Sequence, residues 1–127
     1  MNYGFSKTVD MPYEHAVEKV TNELKKEGFG VLTAIDVRET LKKKLDVDFK
    51  KYVILGACNP PFAYKALQIE EEVGLLLPCN VIVYEKEGKT AVSAFDPMVM
   101  MTVLGNDRMR QVADEVKQRL ERVIAAM

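Results

Sequence analysis

Residues 2–9 alternate, with Tyr3, Phe5 and Val9 apolar and Asn2 and Lys7 polar, the period of a first strand. Pro12 then opens a helix, because a proline is tolerated in the first helical turn. Tyr13, Ala16, Val17, Val20 and Leu24 fall on one apolar stripe of that helix. Gly28 is a stop, since glycine accepts the left-handed conformation past a helix end. Residues 29–35 read as a second strand. Asp36, with Glu39 three residues on, forms a capping-box-like pair ahead of a short helix whose Val37, Leu41 and Leu45 share a face. Residues 51–58 read as a buried strand, and Asn59-Pro60-Pro61 opens another short helix with Ala63, Ala66 and Leu67 inward. Residues 79–86 and 89–95 are strands joined at Glu87-Gly88, the signature of an antiparallel hairpin. Asn106 or Asp107 caps the last helix. Its Met109, Val112, Ala113, Val116, Leu120, Val123, Ile124 and Met127 recur at helical spacing, opposite Arg110, Asp114, Lys117 and Glu121.

The order is strand, long helix, four strands with short helical insertions, long helix (β-α-β(4)-α). Amphipathic helices of this kind cover one face of a sheet, so the expected class is α+β, an antiparallel sheet with two long helices packed on one face. No repeat, linker or low-complexity segment interrupts the pattern, so residues 1–127 form a single domain, long enough to bury a core.

Charge narrows the function classes. The formal net charge is −1, which lacks the positive footprint that nucleic-acid binding requires, so no nucleic-acid partner is expected. The chain has no apolar run near the roughly 20 residues of a membrane span, so no membrane partner is expected either. The opening segment has no basic region followed by an apolar one, and two cysteines make no disulfide scaffold. The expectation is a cytoplasmic protein with reduced thiols.

The cysteines are the candidate chemistry. Cys58 ends a strand and Asn59-Pro60 begins a helix, so the thiol sits beside a helix N-terminus, where partial positive charge favours a thiolate. The same N–H groups suit a small anion. Cys79 starts the next strand. If the two strands are antiparallel neighbours, both thiols lie at one edge of the sheet. A thiol-dependent enzyme would use Cys58 and Cys79 as its catalytic groups. A ligand pocket there would be lined by Cys58, Asn59, Cys79 and Asn80, with Asp36, Lys44 and Asp96 as further candidates. The plainer reading is that both thiols fill a core.

Other features read as structure. His15, the one histidine, lies beside Glu14 on the first helix and faces solvent. Two Cys and one His supply no recognised zinc spacing, so no metal is expected. Lys42, Lys43, Lys44, Lys50 and Lys51 form a solvated basic face, Met98, Met100, Met101 and Met109 pack a core or dimer interface, and Glu70-Glu71-Glu72 is a solvated loop after a helix end. No glycine-rich phosphate loop, nucleophile elbow or HExxH motif is present, and no cofactor is expected.

Gly28-Phe29-Gly30-Val31, Asp36-Val37, Leu41 to Leu45, Asp48-Phe49, Cys58-Asn59-Pro60, Gly74 to Asn80 and Asp96-Pro97 together resemble the domain-of-unknown-function 302 family over nearly the whole chain. The resemblance implies a fold like the TATA-binding protein repeat, a homodimer, a basic residue near Lys44, and no established activity. The leading expectation is a small-ligand-binding or interaction domain without catalysis of its own. The alternatives are a thiol-dependent redox protein or enzyme, and a homodimeric partner-binding module.

Overall fold

The computed structural model describes residues 2–127. Strands β1 (Gly4–Val9), β2 (Gly30–Asp36), β3 (Tyr52–Cys58), β4 (Cys79–Lys86) and β5 (Lys89–Phe95) form one sheet of order β1-β5-β4-β3-β2. Every neighbouring pair is antiparallel. Helices α1 (Tyr13–Lys26) and α5 (Asp107–Ala125) are the two long ones, and α2 (Val37–Leu45), α3 (Pro60–Ile69) and the single turn α4 (Met101–Leu104) are insertions. The α+β class expected from the pattern is the class found.

The stripes explain the layering. Ala16, Val20 and Leu24 of α1 and Val116, Leu120 and Val123 of α5 are buried in one cluster with Val81, Val83 and Val92, the residues that β4 and β5 turn toward the helices. Each such side chain removed from water stabilises the fold by roughly 1.5–3 kcal/mol before entropy is counted. The β4–β5 turn places Glu87 at φ 49° and Gly88 at φ 81°, the paired left-handed residues whose twist matches a two-residue hairpin. Asn106 caps α5 by accepting from the Arg108 and Met109 amides at 2.8 and 3.4 Å.

Three local expectations change. Helix α2 buries none of its residues: it lies along β2 and β3, which half-cover Val37 and Leu41, while Leu45 at its end is exposed. Leu67 is exposed rather than inward, while Ala66 is buried. The acidic segment is a 3₁₀ helix, Glu71–Leu76, in which Val73 is buried, rather than an open loop, although α3 does end before it at Ile69. The methionines pack: Met100, Met101 and Met109 join Ala66, Val73 and Ala113 in a second buried cluster beside the main core. His15 is exposed. Among the described residues no helix is long and apolar enough to cross a membrane.

Candidate functional site

The two cysteines meet the condition that the sequence set for them. Strands β3 and β4 are antiparallel neighbours, and Cys79 at the start of one faces Ala57 near the end of the other. Cys58 lies one residue further and pairs with Gly30 of β2. This offset sends the two side chains off successive faces of the pleat, a poor geometry for a disulfide without backbone movement. Cys58 is half-buried and Cys79 buried, and both are free. Burial, helped by the nearby Cys58, pushes the Cys79 thiol up to about 11, so at neutral pH it is a protonated packing group.

Both cysteines border a cavity of about 350 Å³ between this end of the sheet, α3, α5 and the 3₁₀ turn Pro97–Met100. Its inner wall is apolar and comes from Phe62, Ala63, Met100, Met109 and Ala113. The mouth carries Leu32 and Leu67, both exposed. A bulge in β2 between Val31 and Thr33 turns Leu32 outward. Gly56 of β3 lets the rim close: a Cβ there would collide with Thr33 Oγ1 and lie 2.9 Å from Pro78 Cγ.

Asn59 fixes the back of the cavity. It occupies the N-cap position of α3, yet its side chain makes no capping bond. Its Nδ2 instead donates to the Glu27 carbonyl at 3.1 Å, at the end of α1. Arg119 of α5 donates to the same carbonyl through Nη1 at 3.0 Å and lies over the Phe62 ring, 5.2 Å from its centroid. One carbonyl thus joins α1, α3 and α5. Gly28 makes the join possible. Its φ is 86°, and a Cβ there would come within 3.1 Å of Asn59 Nδ2.

The anion expected at the start of α3 finds little to hold it. Pro60 and Pro61 have no N–H, so two of the free donors of an ordinary helix start are missing. The Ala63 amide is already bonded to the Asn59 carbonyl at 2.9 Å. The proline pair that marks the helix in the sequence also removes two of the donors an anion would use.

The remaining candidates do not converge on the cavity. Asp36 lies at the other end of β2, opposite Val53, roughly 15–20 Å from the Cys58 end by strand rise. It caps α2 by accepting from the Glu39 amide at 2.9 Å. Lys44 is exposed on α2. Its neighbours Lys42 and Lys43 pair with Asp46 and Glu39. Asn80 is exposed on the face away from the helices, opposite Gly56. Asp96 caps the 3₁₀ turn that begins at Pro97, accepting from the Met98 amide at 2.9 Å, and pairs with Lys117 at 3.1 Å. Its role is to hold the cavity wall. Among the described residues no group of His, Cys, Asp and Glu could hold a metal ion. The apolar lining from α5 and Met100 was readable only as core, because cavity and core use the same residue types.

The sequence matches the domain of unknown function DUF302 over residues 5–127. The structure is similar to the crystal structure of an uncharacterized conserved protein, DUF302, from Bacillus stearothermophilus, with a TM-score of 0.91, 29% identity and 98% of each chain covered. No curated protein matches the sequence. The chain belongs to the DUF302 family, a family of unknown function.

Proposed function

We propose that this chain is a small-ligand-binding domain without catalysis of its own, and that its ligand enters the cavity at the Cys58/Cys79 end of the sheet. The observation that carries this reading is the cavity itself, about 350 Å³ with an apolar wall and an exposed mouth. That volume falls at the lower end of the range of small-molecule sites, about 300–1,000 Å³. An engineered apolar cavity of about 150 Å³ holds benzene, so this one has room for a two-ring molecule. The thiol-redox reading has less support, since Cys79 is buried and protonated and the strand register offsets the pair. Free thiols on neighbouring strands fit a reducing compartment, the cytoplasm.

Thermal denaturation with naphthalene tests the reading. A ligand of the folded state raises Tm in proportion to the logarithm of its concentration above Kd. The wild type is expected to show that rise and Ala113→Leu, which fills the cavity, to lose it. Equal behaviour in both proteins overturns the reading.

A homodimer is a second reading, with its own observation. An antiparallel sheet with one wet face ordinarily turns polar residues to water. Here that face carries Tyr52, Ile54, Ile82 and Tyr84, with the two tyrosine rings stacked at 5.1 Å, and the neighbouring α2 leaves Leu45 exposed. Five strands spaced about 4.8 Å and about 20 Å long present on the order of 500 Å² in projection. With the α2 flank this approaches the roughly 800 Å² per partner of a standard interface. A twofold contact that pairs the face with its copy would cover it. Light scattering is expected to give a dimer that Ile82→Glu converts to monomer, and a wild-type monomer at micromolar concentration contradicts it.

A further inference from the structure

We infer that the cavity selects a neutral, largely apolar ligand carrying one hydrogen-bond donor, a hydroxyl or N–H, which it presents to Oδ1 of Asn59. The inference rests on the cavity reading above and names the chemistry of its occupant.

Three observations lead there. Asn59 lines the cavity and is only 7% exposed, so its amide needs partners from the fold, from water in the cavity or from a ligand that displaces it. The orientation of the amide is settled by chemistry: the Glu27 carbonyl can only accept, so the NH₂ end faces it and Oδ1 faces the other way. Oδ1 then accepts nothing. It makes no capping bond to α3, where an N-cap asparagine would ordinarily use it, and no other hydrogen bond to it occurs among the described residues. Every fully enclosed side-chain nitrogen and oxygen among those residues has a partner, so an unpartnered Oδ1 must still reach accessible space, and the space that Asn59 borders is the cavity.

The character of the occupant follows. A lone acceptor on an apolar wall rewards a donor. It repels a carboxylate or phosphate, and the proline-stripped start of α3 offers such an anion little in return. A cationic ammonium would leave most of its donors unpaired against Phe62, Ala63 and Met109, at a heavy desolvation cost. What remains is a neutral molecule with one donor. The Glu27 carbonyl, held also by Arg119, keeps the amide from turning to suit an acceptor instead.

Three probes of one shape separate these ideas: naphthalene with no polar atom, 2-methoxynaphthalene with an acceptor only, and 2-naphthol with a donor. The chain contains no Trp, so their fluorescence can be titrated against little protein background. The expected order is 2-naphthol tightest, by about tenfold over the other two, the value of one hydrogen bond to a buried partner. Equal affinities, or 2-methoxynaphthalene matching 2-naphthol, overturn the donor inference and leave the cavity reading standing. No saturable binding of any probe overturns the cavity reading and the inference with it. Asn59→Ala, checked for folding by circular dichroism, is expected to lose the preference for 2-naphthol. A folded variant that keeps the preference removes Asn59 from the role, and the wild-type series stands as a test whether or not the variant folds.

Discussion

Asn59 and Glu27, 32 positions apart, are joined by a 3.1 Å hydrogen bond from the Asn59 side chain to the Glu27 carbonyl. The bond closes the gap between the end of α1 and the start of α3, and Arg119 of α5 meets it at the same oxygen. Cutting it removes one tie between α1 and the elements that frame the cavity. Asn59→Ala should therefore cost about 1–3 kcal/mol in urea denaturation, the range for a lost buried hydrogen bond. Asn59→Asp should cost at least as much, because a carboxylate would face a carbonyl. A loss below the error of the measurement would show that the join contributes nothing to stability.

The two cysteines should behave differently. Cys58 is half-buried and should react with an alkylating reagent in the native state, whereas Cys79 should react only on unfolding, as peptide mass mapping would reveal. Cys79 also predicts a pH dependence. Burial raises its folded-state value to about 11, above its ordinary 9.0, so the unfolded chain releases the proton first. The contribution is then fully present below pH 9 and is lost as pH rises toward 11, by about 2–3 kcal/mol. Subtracting the Cys79→Ala stability curve from the wild-type curve isolates this fall from other titrations. A flat difference over that window would contradict the burial account.

Charged residues that the sequence places near the site are expected to be spectators of binding. Asp36→Ala and Lys44→Ala should leave the affinity for 2-naphthol unchanged, because both positions lie at the far end of β2 or beyond it. Asp36→Ala should lower stability by about 1 kcal/mol through its lost cap. A tenfold loss of affinity in either variant would place the site elsewhere.

The elements were legible in the sequence because each has a local cause. The stripes on α1 and α5, Gly28 past a helix end and the Glu87-Gly88 turn all act within a few residues, and each stands where the pattern predicts. The failures are long-range. The sequence leaves Asp36, Lys44 and Asn80 free to join the cysteines, because nothing in it states which end or face of a strand a residue occupies, and the register decides that. Asn59 was legible as a cap by type and position. Its actual partner, Glu27, is contributed by another helix, so no local rule would select it. Leu45 satisfied a helical stripe, but a stripe is buried only where another surface lies against it.

Methyl-labelled NMR during a 2-naphthol titration tests the central claim most directly. Labels on Ala, Met and Ile report the cavity through Ala63, Met100, Met109 and Ala113, and the uncovered sheet face through Ile54 and Ile82. The account predicts saturable shifts confined to the cavity methyls, with Ile54 and Ile82 unmoved. Shifts at Ile54 and Ile82 with the cavity methyls silent would contradict it, and would put ligand binding on the open sheet instead.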